Sequence, residues 1–211
     1  MRTGLKTLWR AARARARTRA EARALGASGR FSPPYRLNVG CGNVRFEGWI
    51  NIDFAATGSQ DLIWDVSKSI PCPDATCSMI YNEHFIEHLD IDSGKRFLRE
   101  CHRVLIPGGV LRVATPSLEA TVSHYADQTW KDQAWLKKYR YHWIATRAEY
   151  LNICFRHWGH QWIYDAEELS RRLREAGFVN LSEAAWGVSQ VREMSGRETR
   201  EESVLIFEAV K

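Results

Sequence analysis

Residues 37–43 read Leu-Asn-Val-Gly-Cys-Gly-Asn, and the run that follows, Trp49-Ile50-Asn51-Ile52-Asp53, ends in a carboxylate. An apolar strand breaking into Gly40-Cys41-Gly42 predicts a sharp turn, because glycine lets the backbone bend and approach a ligand without a Cβ clash. An acidic residue closing the next strand suits paired hydrogen bonds to two ribose hydroxyls. The third position of a G-x-G-x-x-G fingerprint is Arg45 here, where a nicotinamide dinucleotide site has Gly or Ala for close packing beside the pyrophosphate. The loop therefore fits a ribose-bearing ligand without a diphosphate. A bare Gly-x-Gly is also compatible with a plain turn after a strand.

Working outward, strands are expected at Tyr35–Val39, Trp49–Asp53, Asp61–Trp64, Cys77–Tyr81, Val110–Ala114, Val179–Trp186 and Ser203–Val210. Amphipathic helices are expected at Ser93–Leu105 and Asp165–Ala176, the second closed by Gly177. Only a short stretch separates Gly42 from Trp49, so any helix there is truncated or missing. Strands alternating with helices give an α/β fold, Rossmann-like and doubly wound. Its seven-stranded sheet is mostly parallel and covered on both faces. Residues 117–163 break the rhythm with five of the nine tryptophans, which predicts an aromatic-rich helical cap inserted after strand 5. An insertion there lies at the carboxyl ends of the strands, where open α/β sheets bind ligands.

The chain of 211 residues is long enough for one domain with a sizeable core. No apolar run approaches the roughly 20 residues of a membrane span, and a secretory leader is not expected. Five scattered cysteines make neither a disulfide framework nor a zinc site, which suggests a reducing, cytoplasmic setting. Nine basic residues against Glu21 place +8 on residues 1–30, leaving −3 on the other 181 residues of a chain whose net charge is +5. The basicity belongs to an arm at residues 1–30, and residues 31–211 form the mildly acidic domain. A broad nucleic-acid-binding face is disfavoured. Leu5, Leu8 and Trp9 among the arginines suit peripheral contact of residues 1–25 with an anionic membrane, at the inner membrane surface. A solvated tail or an organelle-targeting peptide has the same composition.

The stretches RLNVGCGN (36–43), GWINIDF (48–54), IYNEHFIEHLD (80–90), FLRECHRVLIPGGVLRVATPSL (97–118) and HQWIYDAEELSRRLREAGFVN (160–180) resemble class I S-adenosylmethionine-dependent methyltransferases of the type 11 group. More closely they resemble methyltransferases found with bacterial surface-polysaccharide biosynthesis. The resemblance runs in order over residues 35–211 and implies S-adenosylmethionine as cofactor. Carried over by position, it implies that Gly40, Cys41 and Gly42 pass close to the methionine moiety and that Asp53 holds the ribose. Phe54 would lie against the adenine, Asp65 with the Val66 amide would read the adenine edge, and Asn82 would contact the aminocarboxylate. Asn38 stands where many relatives carry an acid.

Methyl transfer to a hydroxyl needs alignment of donor and acceptor and a base for the departing proton. His84 and His88, four apart, are expected on one face of the helix after the fourth strand, with His84 the preferred base. His160 or Tyr164 could enter from the cap. No metal is expected, although His84-x-x-Glu87-His88 also resembles the helix from which some metal-assisted O-methyltransferases ligate magnesium, and Glu87 and His88 with His160 could complete such an oxygen- and nitrogen-lined site. The acceptor expected is a hydroxyl of a sugar or glycoconjugate. A small phenolic, quinone-like or lipid acceptor is the alternative, as is a methyltransferase-like binding module without turnover.

Overall fold

The computed structural model describes residues 30–211, so the basic arm expected at residues 1–30, and its membrane contact through residues 1–25, lie almost wholly outside the described residues. Seven strands form one sheet: β1 (Tyr35–Val39), β2 (Ile50–Asp53), β3 (Leu62–Ile63), β4 (Cys77–Glu83), β5 (Leu105–Thr115), β6 (Val179–Glu183) and β7 (Leu205–Val210). Their order is β3-β2-β1-β4-β5-β7-β6, with β7 antiparallel to both neighbours and the remaining pairings parallel. Winding reverses between β1 and β4, which places the topological switch point beside Val39 and its register partner Asn82.

Strands β1, β2 and the second half of β5 are buried almost throughout, polar residues included, because both their faces are covered. One face is covered by two helices. Helix α1 (Ile91–Val104) begins earlier than its apolar periodicity suggests, since the Asp90 side chain accepts from the amides of Asp92 and Ser93. It buries Phe97, Leu98, Cys101 and Val104 against the sheet. The fifth described α-helix, α5 (Ala166–Glu175), is capped by Asp165 and buries Leu169 and Leu173. Gly177, at φ +102°, ends it in a conformation that side chains rarely adopt. Between them, in the cap, lie α2 (Leu118–Ala126), α3 (Ala134–Lys138) and α4 (Arg147–Asn152).

The other face is covered by loops rather than helices among the described residues. No helix intervenes between β1 and β2, and Phe46 and Trp49 from that connection pack with Tyr81 and Met194. Arg197 lies 4.6 Å above the Phe46 ring, holding the β6–β7 connection onto the same cluster. Beneath this layer the fully buried Arg112 of β5 reaches Glu198 at 2.6 Å and Glu208 at 2.7 Å. The strand containing Pro107-Gly108-Gly109 also differs from expectation. These residues lie inside β5 as a bulge, where the register jumps between Cys77–Leu105 and Met79–Val110.

The cap has its own small core of Trp130, Trp135, Leu136, Ile144 and Tyr150. Trp143, Trp158 and Trp162 stay substantially exposed. No described helix is long and apolar enough to cross a membrane.

Removing Arg112 leaves two buried carboxylates without their cation. Urea unfolding of Arg112→Leu is therefore expected to show a loss of roughly 3–5 kcal/mol; an unchanged midpoint would mean that the triad contributes nothing to stability.

Candidate active site

The loop after β1 is shaped by a polar network that leaves its glycines clear. Buried Asn51 accepts from the Phe46 amide at 2.9 Å and from Asn38 Nδ2 at 3.0 Å. Asp61 in turn accepts from Asn51 Nδ2 at 2.9 Å and from Arg45 at 2.8 Å. Asn38 is thus a brace for the loop, and Arg45 a clip between it and the segment before β3. Gly40 and Gly42 both have positive φ, +66° and +51°. A Cβ on Gly40 would lie 2.6 Å from the Phe85 ring, whereas one on Gly42 would meet open space. Asp53, buried at the end of β2, accepts from the Gly42 amide and the Ala55 amide, each at 2.9 Å. Each carboxylate oxygen keeps a second lone pair for a hydroxyl donor.

The next residue, Phe54, is 77% exposed, a flat ring available for stacking. Asn82 is fully buried at the switch point, and its Oδ1 has no hydrogen-bond partner among the described residues. An orphaned carbonyl there is matched to an ammonium donor. Asp65 follows β3 and is engaged by Ser67 and Lys68, while the Val66 side chain joins the main core. Burial pushes the Cys41 thiol up to about 11, with Asp53 adding to the effect, so Cys41 stays neutral and is no nucleophile at neutral pH. The open space beside Gly42, the Asp53 lone pairs, the bare Phe54 ring and the Asn82 carbonyl fit a nucleoside carrying an amino-acid tail.

The other half of the site is a cavity of about 740 Å³ between the strand ends and the cap. His84, His88, His160, Tyr141 and Trp158 line it, and Arg200 reaches it from the β6–β7 connection. His84 and His88 do not share a helix face as expected. His84 has φ +49°, outside any helix, and only Ile86–His88 form a single 3₁₀ turn. That strained backbone aims the ring back onto the turn, where His84 Nδ1 lies 3.1 Å from Glu87 Oε1. Glu87 is fully buried, and Thr115 Oγ1 at the end of β5 donates to its Oε2 at 3.1 Å. Burial drives the Glu87 carboxyl upward, but the neighbouring His84 and His88 outweigh it and hold it below the usual range.

The cap is stitched to this turn. The amides of Gln161 and Trp162 donate to the Glu87 carbonyl, and Gln161 Nε2 donates to the His88 carbonyl at 2.7 Å. His160 Nδ1 contacts the Cys154 carbonyl at 2.7 Å, which makes Nδ1 the protonated nitrogen and leaves Nε2 with its lone pair. Burial lowers the His160 pKa and outweighs the opposing pull of that carbonyl. The His160 and His88 rings meet edge-to-face, 5.0 Å between centroids.

All three sequence-expected histidines thus converge on one cavity, although they come from a turn and from a distant return of the chain. Tyr164 does not join them; it is buried in the main core. His102 packs edge-on against Phe178 and is structural. The sequence reading had missed Glu87 as the partner of His84. It had also missed Glu83, whose carboxylate accepts from the Thr199 and Arg200 amides and from Ser203. Those bonds hold Arg200 at the cavity. A carboxylate one residue before His84 was the only sequence signal, and it does not reveal a partner 116 positions away.

Comparison with known proteins follows this geometry. A family model described as a methyltransferase domain matches residues 9–183. Over 48 residues the chain is 46% identical to a protein of Mycolicibacterium smegmatis named "Probable S-adenosylmethionine-dependent methyltransferase"; the match spans 23% of this chain and only 18% of that relative. An S-adenosylmethionine-dependent methyltransferase from Thermotoga maritima superposes with a TM-score of 0.51 at 15% identity, covering 84% of this chain and 82% of that one. One from Archaeoglobus fulgidus gives 0.50 at 15% identity, over 92% and 94% of the two chains. One from Mesorhizobium loti gives 0.52 at 12% identity, over 84% and 90%. At these identities the structures share the fold.

Calorimetric titration is expected to show micromolar binding of S-adenosylmethionine and S-adenosylhomocysteine and none of NAD. Asp53→Ala should bind the first two at least tenfold more weakly, because the carboxylate that braces the glycine loop and keeps free lone pairs for a ligand is lost. Full-strength binding by that variant would remove Asp53 from the site.

Proposed function

We propose, for a chain that belongs to the methyltransferase-domain family and takes S-adenosylmethionine as its cofactor, that the acceptor is a hydroxyl of a sugar or sugar-containing glycoconjugate. The observation that carries this reading is the His84–Glu87 pair at the mouth of β4, facing the aromatic-walled cavity. When bound, S-adenosylmethionine supplies a methyl carbon already activated by its sulfonium leaving group. The protein then has to align an acceptor oxygen and take its proton.

His84 is placed for the second task. Glu87 fixes the ring through Nδ1, leaving Nε2, which has no partner among the described residues, as the basic nitrogen. Glu87 stays ionised beside it and stabilises the imidazolium formed when the hydroxyl proton is taken. The cavity supplies alignment. Trp158 and Tyr141 present apolar ring faces, and Trp158 Nε1 is tied to Tyr141 Oη at 2.9 Å, so the two rings hold one another in place. Gln133, His124 and Arg200 add polar groups around the rim. Flat apolar faces beside scattered polar groups suit a pyranose, whose C–H face stacks while its hydroxyls find partners. A phenolic, quinone-like or lipid acceptor would use the same rings with less need of the polar rim. A binding module without turnover would need neither the strained His84 backbone nor its buried carboxylate.

The work is proposed to take place in the cytoplasm, with the basic segment 1–25 resting on an anionic membrane surface where glycolipid acceptors are found. The support for this is the charge of that segment together with Leu5, Leu8 and Trp9.

Incubation with methyl-labelled S-adenosylmethionine and a panel of nucleotide sugars, glycolipids, phenols and quinols is expected to label a sugar hydroxyl. His84→Asn should lower kcat roughly 10²–10⁴-fold while S-adenosylhomocysteine still binds. Label appearing only on phenolic or quinol acceptors would overturn the sugar reading. The full chain should also co-sediment with phosphatidylserine vesicles and not with neutral ones, with the association lost in high salt; equal partitioning to both would sink the membrane contact.

A further inference from the structure

The cap carries an outer face that neither the donor half of the site nor the catalytic turn uses. Residues 133–148 hold Lys137, Lys138, Arg140 and Arg147 and not one carboxylate, in a domain whose residues 31–211 carry −3. Packing decides which of these side chains point outward. Trp135 and Leu136 of α3 and Ile144 beyond it are buried in the cap core, so the loop between them is pinned at both ends. The Tyr141 amide donates to the Leu136 carbonyl at 2.7 Å, and Arg140, at φ +60°, makes the turn. Tyr139 and Trp143 are left 45% and 54% exposed, with Lys137, Arg140 and His142 exposed beside them. Lys138 lies over the Tyr139 ring, near Glu202 and Glu201, and Arg147 lies over Tyr125. Lys137 and Arg140 have no ion pair among the described residues. Single exposed rings are ordinary on a protein surface, but a rigid loop that sets an indole among unpaired cations has a specific complement.

We infer that this face of the cap docks on an anionic lipid surface, with Lys137 and Arg140 at the head groups and Trp143 in the interfacial layer. The indole suits that layer because it joins a broad apolar body to one polar N–H. Each cation within the negative surface potential adds an attraction that salt screens. A nucleic acid would call for a longer basic track following its backbone. Tyr139 also lines the acceptor cavity, as does Tyr141, whose ring centroid is 5.8 Å from that of Trp143. Docking therefore sets the cavity beside the lipid surface, where an acceptor carried on a lipid enters without leaving the membrane. That consequence rests on the glycoconjugate reading. The docking itself depends only on the face of the cap and is separate from the contact proposed for the basic arm.

The test uses the full chain, its arm intact, and phosphatidylcholine vesicles with or without phosphatidylserine, with affinity read by co-sedimentation. Lys137→Gln/Arg140→Gln is expected to bind the anionic vesicles roughly tenfold or more weakly than the wild type. Arg99→Gln/Arg174→Gln removes the same charge from exposed positions on α1 and α5 and is expected to keep wild-type affinity. Trp143→Ser is expected to bind about threefold or more weakly with an unchanged dependence on salt, because apolar cover is lost and charge is not. Titration with S-adenosylhomocysteine certifies the fold of each variant. Wild-type affinity in Lys137→Gln/Arg140→Gln or in Trp143→Ser overturns the docking face and leaves any vesicle binding to the arm. Equal losses in the two double variants overturn it as well, since net charge alone would account for them. A single-stranded oligonucleotide bound through Lys137 and Arg140, with no vesicle binding, also overturns it. Vesicle binding lost as expected, with methyl label found only on soluble phenols, upholds the face and rejects the glycoconjugate acceptor.

Discussion

Three separate stretches of chain converge on Glu87, whose carboxylate has no access to solvent. His84 meets it from the end of β4, Thr115 from the end of β5, and the return from the cap is bonded to the Glu87 carbonyl. An ionised group in that position must be fully engaged, since a buried charge without partners is worth several kcal/mol against the fold. The requirement works in both directions. Glu87 holds His84 in a backbone conformation that a β-carbon disfavours, and the histidines keep Glu87 ionised. The turn after β4 that lines the cavity is organised around that mutual constraint.

The donor side obeys a different logic. There the polar groups are spent on the protein itself: Asn38, Asn51, Asp61 and Arg45 bond one another until the glycine loop has a single shape. What remains for a ligand is small and specific, namely the second lone pairs of Asp53, the carbonyl of Asn82 and the uncovered ring of Phe54. A rigid loop with few free groups selects its ligand by shape and by missing partners. Arg45 closes the loop by bonding the Ser59 carbonyl and the Asp61 carboxylate. Phe85 packs against Gly40 on one side and begins the His84–His88 turn on the other, so donor and acceptor halves share one hinge of packed atoms.

The layer opposite the helices departs from a simple doubly wound pattern. Among the described residues it is made of connections, with Arg112 and its two glutamates beneath and Arg197 clamped over aromatic rings above. Such a layer is held by specific ionic and ring contacts more than by a continuous apolar stripe. Those contacts fix the β6–β7 connection, and with Glu83 they deliver Arg200 to the cavity. Stability and the lining of the cavity are therefore tied together on that face.

The strands, their order of appearance, both long helices and the glycine turn were legible in the residues, because each depends on local periodicity, capping and turn chemistry that operate over a few positions. That His84 and His88 would border a cavity at the strand ends was legible too, from their place after an apolar strand. Their arrangement was not: a helical spacing of four was read as a helix face, while the tertiary packing of Glu87 bent His84 out of any helix. Which tryptophans make the cap core and which face the cavity, the bulge inside β5, and the meeting of His88 with His160 across 72 residues were likewise decided only in three dimensions. Those features rest on pairings between segments remote in sequence. The free energy of a buried charge or an aromatic contact carries no local signature in the chain that will make it.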